Sequence, residues 1–207
     1  MDTFSYEHAG MASRLETWEW DNVWWDHAPY GGGRGRLLVI GDSISCGFRN
    51  LLRKLSGETW AMDGLGTSKA LDNPAFPALL DSVRAQRGGD YTAVLFNNGL
   101  HGFHLRDTEE EYGALYEKFL RRIVAGGSPV IAVLTTPVAD PERQKRVIAR
   151  NALATAAAGR VGVPVFDLHA VMLPHTDLLV DGVHFRAEGY EIMARALLDE
   201  LDTRFPG

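Results

Sequence analysis

Short apolar runs alternate with amphipathic stretches along the chain from residue 36 onward. The apolar runs predict buried strands over residues 37–40, 58–66, 91–96, 129–134 and 162–168. Apolar positions at helical spacing predict helices over residues 48–55, 74–87, 108–124, 141–160 and 187–201. Because strands and helices alternate, the pattern predicts an α/β fold with a parallel, doubly wound sheet that binds ligands at its carboxyl edge.

Residues 1–35 do not follow this pattern. They hold four of the five tryptophans and end in a glycine-rich stretch before the first predicted strand. We therefore divide the chain into a Trp-rich N-terminal arm, residues 1–35, and an α/β domain, residues 36–207. Packing against the domain is the favoured role for the aromatic rings, since large aromatic side chains are mostly buried. A sugar-stacking wall beside the active site and a dimer contact stay open as alternatives.

Composition narrows the class of partner. The chain has 207 residues and a formal net charge of −6, so it lacks the basic face that nucleic-acid binding requires. No apolar run reaches the roughly 20 residues that a membrane span needs. The single cysteine excludes an internal disulfide. The first residues carry no secretory signal, which favours a cytoplasmic location and leaves secretion with a removed signal peptide open.

The first candidate for chemistry is Ser43, which follows the first predicted strand in Gly41-Asp42-Ser43-Ile44. A residue between a strand and a helix lies where unpaired backbone N–H groups and the helix dipole favour negative charge. That position suits a nucleophile. Serine is also a preferred helix cap, so a purely structural role stays open here.

The second candidate lies near the other end of the chain, in Asp181-Gly182-Val183-His184. An Asp three residues before a His in a loop can hold one imidazole nitrogen while the other faces a hydroxyl. Ser43, His184 and Asp181 therefore supply a nucleophile, a base and an orienting acid. Asp167 ranks second as the acid because it lies further from His184 in the sequence.

Two further segments follow predicted strands. Gly64 and Gly66 come at the end of the second strand, where a glycine lets the backbone turn an N–H towards a ligand. Asn97 and Asn98 follow the third strand, and a side-chain amide there can donate a hydrogen bond to an oxyanion. Both pairs are also typical turn residues, which is the structural alternative.

Three blocks together resemble the SGNH (GDSL-type) hydrolase superfamily: Gly41-Asp42-Ser43-Ile44, Asn97-Asn98-Gly99-Leu100-His101-Gly102 and Asp181-Gly182-Val183-His184. The resemblance implies a flavodoxin-like, three-layer α/β/α sandwich with about five parallel strands, and ester hydrolysis by Ser43. It also implies an oxyanion hole made by the N–H of Ser43, the N–H of Gly66, with Gly64 as its rival, and the amide of Asn97. Asn98 stands where the family commonly has Asp.

Histidines elsewhere give weaker signals. His101 and His104 are three residues apart, but no Cys or carboxylate cluster at ligand spacing accompanies them, so we expect no metal and no cofactor. We expect His101, with Gly64 and Asn98, to contact the substrate.

The predicted function is a serine esterase for short-chain esters, with O-acetyl groups on carbohydrate as the favoured small-molecule substrate. The short chain leaves little room for a long acyl tunnel, and the tryptophans suit sugar stacking. A lysophospholipase or thioesterase of the same superfamily is the alternative among enzymes. A non-catalytic glycan- or acyl-binding module is the alternative from another class, and the sequence leaves a homo-oligomer open.

Overall fold

A single mixed sheet forms the centre of the computed structural model, which describes residues 15–27, 35–86, 88–103 and 109–206. Its strands are β1 (Asp21–Trp24), β2 (Gly35–Gly41), β3 (Trp60–Thr67), β4 (Ala93–Phe96), β5 (Val130–Val133) and β6 (Val165–Phe166). Their order in the sheet is β1-β3-β2-β4-β5-β6. Strands β2 to β6 pair in parallel, whereas β1 pairs with β3 in antiparallel orientation.

Helices cover both faces of the sheet. They are α1 (Ser43–Leu55), α2 (Phe76–Ala85), α3 (Glu110–Val124), α4 (Pro141–Val161), α5 (Leu168–Met172) and α6 (Ala187–Arg204). Alternate residues of β2 point to opposite faces, so Leu37 and Val39 pack with α1, α5 and α6, whereas Leu38 and Ile40 pack with α2, α3 and α4. The predicted three-layer α/β/α sandwich is confirmed. No helix in the described residues is long and apolar enough to cross a membrane.

The last parallel strand is shorter than its apolar run predicts. Strand β6 covers only Val165–Phe166 of the predicted residues 162–168. Gly162 ends α4 with a left-handed φ of 78°, and Asp167 caps α5 by accepting a hydrogen bond from the N–H of Ala170. The residues at the two ends of the apolar run therefore cap the neighbouring helices and do not extend the strand.

The sheet has six strands instead of the predicted five because the N-terminal arm contributes β1. This strand pairs with β3 from Asp21 opposite Thr67 to Trp24 opposite Gly64. Beyond it, the N–H of Asp26 donates to Asp63 Oδ1 at 2.9 Å. Residues 1–14 and 28–34 of the arm lie outside the described residues.

The tryptophans of the arm differ in their surroundings. Trp24 packs against the core on the α1 and α6 face, and Trp25 packs against the core on the opposite face. Trp18 is 80% exposed. The packing interpretation therefore holds for Trp24 and Trp25, and the roles as sugar wall and dimer contact remain predictions.

Candidate active site

Ser43 is the first residue of α1 and directly follows the turn after β2. Asp42 caps the helix, since its Oδ1 accepts a hydrogen bond from the N–H of Ile44 at 3.0 Å. The first N–H groups of a helix have no carbonyl partner within the helix, and that of Ser43 is one of them. The helix begins five residues before the predicted residue 48. The Ser43 side chain therefore lies at the carboxyl edge of the sheet and at the positive end of a helix dipole.

A tight loop presents Asp181 and His184. Oδ1 of Asp181 accepts hydrogen bonds from the N–H groups of Val183 at 3.0 Å and His184 at 2.8 Å. Gly182 has a φ of 85°, a conformation that favours glycine. Its carbonyl accepts a hydrogen bond from the N–H of Ala139, which ties the loop to the segment after β5. The turn thus fixes the carboxylate beside the imidazole of its own loop.

The structure brings Ser43, His184 and Asp181 into hydrogen-bond contact. His184 Nε2 lies 2.7 Å from Ser43 Oγ, and His184 Nδ1 lies 2.7 Å from Asp181 Oδ2. With a neutral imidazole, Nδ1–H donates to the carboxylate and Nε2 accepts from the hydroxyl. Asp167, the second-ranked acid, is the cap of α5 instead.

The pKa values of the carboxylates of Asp181 and Asp42 are shifted in opposite directions. The N–H of His184, then its ring, then the N–H of Val183 lower the pKa of Asp181 to about 2. Burial raises the pKa of Asp42 above its ordinary value, against the opposing effect of nearby His101. Asp181 therefore carries its charge at neutral pH in contact with His184, as an orienting acid requires.

The two asparagines after β4 are buried and hydrogen bonded. The Nδ2 of Asn97 donates to the carbonyl of Val133 at 2.8 Å and to Thr135 Oγ1 at 3.2 Å. The Nδ2 of Asn98 donates to the carbonyl of Lys69 at 2.9 Å. Asn98 thereby joins the loops after β3 and β4, which is a structural use of a residue predicted to contact substrate.

Gly64 and Gly66 lie inside β3, and neither has a positive φ among the described glycines. A Cβ on Gly66 would overlap Cys46 Sγ and lie 3.3 Å from Trp20 Cζ3, and a Cβ on Gly64 would lie 2.9 Å from Arg49 Nη1. Close approach of Cys46 on α1 therefore explains Gly66, whereas Gly64 meets the end of the flexible Arg49 side chain. Both glycines lie in a strand, so the turn that was their structural alternative is wrong.

His101 meets the N-terminal arm at the rim of the sheet. Its Nδ1 lies 3.8 Å from Glu16 Oε1, and its ring centroid lies 6.5 Å from that of Trp20 at an interplanar angle of 79°. Its Nε2 is buried, and the described residues offer it no hydrogen-bond partner. The sequence placed His101 near the site but gave no sign that Glu16 and Trp20 would join it, because they lie about 80 residues away along the chain.

Arg150 is a further residue that the sequence pattern misplaces. The basic positions of α4 predict a solvated face, yet Arg150 is fully buried. Its guanidinium donates to the carbonyls of Gly99, His101 and Gly102, and its Nε pairs with Glu109 Oε2 at 2.6 Å. One side chain therefore holds the loop that follows Asn97. A basic residue at an otherwise apolar helical position is the only sequence signal for this.

The described residues contain no group of three or more His, Cys, Asp or Glu side chains that could hold a metal ion. His104, the partner that the sequence offered to His101, lies outside the described residues.

A family model described as the GDSL-like lipase/acylhydrolase family matches residues 39–192. This range includes the segments that carry Ser43, Asn97, Asp181 and His184. No curated protein sequence matches the chain.

Several solved structures share the fold. A lipase/acylhydrolase from Enterococcus faecalis is 22% identical with a TM-score of 0.67, and the match covers 82% of this chain and 96% of that chain. An acetylxylan esterase from Geobacillus stearothermophilus is 18% identical with a TM-score of 0.65, over 84% and 95% of the two chains. A carbohydrate acetylesterase from Sinorhizobium meliloti is 18% identical with a TM-score of 0.63, over 82% and 99%.

Proposed function

Because the chain belongs to the GDSL-like lipase/acylhydrolase family and is an ester hydrolase, we propose that Ser43, His184 and Asp181 are its catalytic triad. The contact that carries the proposal is the 2.7 Å separation of His184 Nε2 from Ser43 Oγ, with Asp181 on the other ring nitrogen. This arrangement gives the hydroxyl a base that is already oriented.

In the acylation step, Ser43 Oγ attacks the ester carbonyl carbon while its proton passes to His184 Nε2. Asp181 stabilises the imidazolium that forms. When the tetrahedral intermediate collapses, the bond to the alcohol oxygen breaks and His184 returns the proton to that oxygen. Water then attacks the acyl-enzyme with His184 again as base, and the products are an alcohol and a carboxylic acid.

The oxyanion that develops in both steps needs hydrogen-bond donors. The N–H of Ser43 at the start of α1 supports this role, because it lies at a helix N-terminus. For Asn97, the role requires its amide to exchange the longer 3.2 Å contact with Thr135 Oγ1 for the substrate oxygen. Gly66, with Gly64 as the rival, remains the proposed third donor, and either requires the backbone of β3 to shift at its carboxyl end.

The proposed substrate is a short-chain ester, most specifically an O-acetyl group on a carbohydrate. Two of the similar structures are described as an acetylxylan esterase and a carbohydrate acetylesterase. The partly exposed triad supports the same class, because a bulky acetylated sugar can reach it: the side chains of His184 and Asp181 are 39% and 55% exposed.

Substitution of the nucleophile tests the proposal. We expect Ser43→Ala to keep the fold and to lose nearly all hydrolysis of p-nitrophenyl acetate and of acetylated xylo-oligosaccharides. A serine-directed fluorophosphonate should label the wild type and not the variant. Ser45→Ala, two residues along the same helix, is the matched control and should keep both labelling and turnover. Undiminished turnover by Ser43→Ala would rule out the nucleophile.

A further inference from the structure

We infer that Trp20, which belongs to residues 16–20 of the N-terminal arm, here called the bridging segment, forms the wall of the acyl pocket and restricts the acyl group to acetyl. The inference rests on the proposed esterase function. It assigns the arm a role in specificity beyond the packing of Trp24 and Trp25.

The bridging segment is fixed at both ends of the site. At one end, the N–H of Trp20 donates to Ser68 Oγ at 2.8 Å and the N–H of Ser68 donates to the carbonyl of Trp20 at 3.1 Å. At the other end, Glu16 Oε1 accepts from the N–H of Gly102 at 2.5 Å. Ser68 follows β3 and Gly102 lies beyond β4. Because β2 lies between β3 and β4, the segment spans the carboxyl end of β2, where Ser43 begins α1.

The ring of Trp20 lies against the first turn of α1. Its Cζ3 would be 3.3 Å from a Cβ on Gly66, a position that also meets Sγ of Cys46. Cys46 is one turn after Ser43, and Gly66 lies beside Gly41 in the register of β2 and β3. The ring therefore lies on the β3 side of the helix turn that begins at Ser43.

His184 reaches Ser43 from the opposite side. Its loop is tied to the segment after β5 by the hydrogen bond from the N–H of Ala139 to the carbonyl of Gly182 at 2.8 Å. Strand β5 lies beyond β4, away from β3. The imidazole thus reaches the serine hydroxyl from the β5 side, whereas Trp20 lies on the β3 side.

This placement decides which part of an ester faces Trp20. The leaving alcohol must take a proton from His184 Nε2, so it lies on the His184 side. In the proposal, the acyl group occupies the side away from the leaving alcohol, where Trp20 lies. An indole ring held at the backbone by two hydrogen bonds gives this side of the site a rigid wall, and in the proposal that wall limits the length of the acyl chain.

The test compares acyl-chain profiles on p-nitrophenyl acetate, butyrate and hexanoate. We expect the wild type to prefer acetate and Trp20→Ala to raise the butyrate-to-acetate ratio of kcat/KM by about tenfold or more, the scale on which pockets discriminate methylene groups. Trp18→Ala is the matched control, since Trp18 lies in the same segment and is 80% exposed. Its profile should equal that of the wild type.

A second variant keeps the test decisive if Trp20→Ala fails to fold. Trp20→Phe keeps an aromatic ring and should give a smaller rise in the same ratio. An unchanged profile in both Trp20 variants, an equal change in Trp18→Ala, or a wild type that prefers hexanoate would overturn the inference. So would a changed KM for acetylated xylose with an unchanged chain-length profile, because it would place Trp20 against the alcohol.

Failure of the proposed function has a different signature. A wild type that hydrolyses none of the three esters and resists the fluorophosphonate would remove the esterase mechanism together with the wall. An active, labelled wild type whose Trp20 variants keep its profile would overturn the wall alone.

Discussion

The exposed side and the buried side of the site around Ser43 are built in opposite ways. On the exposed side, Asp181 and His184 lie in a loop that is held by a few local hydrogen bonds. On the buried side, Asp42 and Arg150 are fully buried and hold the backbone around the site. The difference indicates that the proposed proton-transfer groups can be changed with little effect on folding, whereas Asp42 and Arg150 are part of the core.

The sharpest contrast comes from His184→Ala on the exposed side. We expect kcat to fall by about 10⁶-fold, the loss seen when a triad base is removed from other hydrolases. We expect the melting temperature to stay within a degree or two, since the side chain is exposed. Steady-state kinetics and thermal unfolding measure the two effects. His27→Ala, which replaces an exposed histidine of the arm, is the control. A large loss of stability in His184→Ala would break the comparison.

The acid of the proposed triad gives the next largest expected effect. Asp181→Asn should lower kcat by about 10⁴-fold, because an amide in place of the carboxylate favours the wrong imidazole tautomer. Asp167→Asn is the matched control, since Asp167 is exposed and caps α5. Its kcat should remain close to that of the wild type. A large loss of kcat in Asp167→Asn with little loss in Asp181→Asn would identify Asp167 as the acid that orients His184.

Arg150→Met tests the buried side. We expect the free energy of unfolding to fall by about 3–5 kcal/mol, because the substitution removes the donor to Glu109 Oε2 and to three carbonyl groups and leaves Glu109 with Arg146 as its remaining partner. Arg160→Met on the same helix breaks only an exposed pair with Glu117 and should cost less than about 1 kcal/mol. Urea unfolding measures both variants. If both substitutions lowered the free energy of unfolding by the same amount, the burial of Arg150 would contribute nothing to stability.

A smaller loss is expected at the helix cap. Asp42→Ala should lower the free energy of unfolding by about 1–2 kcal/mol, since it removes the acceptor for the N–H of Ile44. Asp42→Asn keeps a good capping side chain and should cost less. Urea unfolding at neutral pH compares the two variants. A larger cost for Asn than for Ala would contradict the capping role.

The smallest effect is in the pH dependence of stability. The pKa of Asp181 is lowered to about 2, so the stability it provides persists above about pH 4 and is lost as the pH falls towards 2. Burial raises the pKa of Asp42, so the folded state binds that proton more readily and gains stability as the pH falls through this raised pKa. Urea unfolding between pH 7 and pH 2 should therefore show that the free-energy difference between the wild type and Asp181→Asn shrinks as the pH falls, whereas the difference between the wild type and Asp42→Asn changes in the opposite direction. If both free-energy differences changed in the same direction with pH, the electrostatic contrast between Asp181 and Asp42 would be wrong.

The exposed side of the site is also the side that the sequence predicts. Asp181 and His184 interact within one short turn, so their spacing predicts their contact, and the strand–helix junction predicts the place of Ser43. The five parallel strands follow from runs that are buried on both faces. These features depend on local pattern.

The buried side depends on contacts between distant residues, which a local pattern does not contain. Arg150 belongs to a basic stretch that is typical of a solvated face, and only the carbonyls of the loop after β4 make its burial favourable. Strand β1 is missed for a similar reason: Asp21-Asn22-Val23-Trp24 has one β-branched residue, and its strand geometry comes from the edge of β3. Glu16 and Trp20 reach the site through that same pairing.

Strand β1 also has a consequence for how the chain folds during synthesis. It precedes its partner β3 by about 40 residues, so it leaves the ribosome before the edge that it will cover exists. The β3 edge, once formed, is a row of free backbone groups that can pair with another chain until β1 occupies it. Deletion of residues 1–27 would leave that edge permanently open, and we expect the shortened protein to self-associate even where its core is intact.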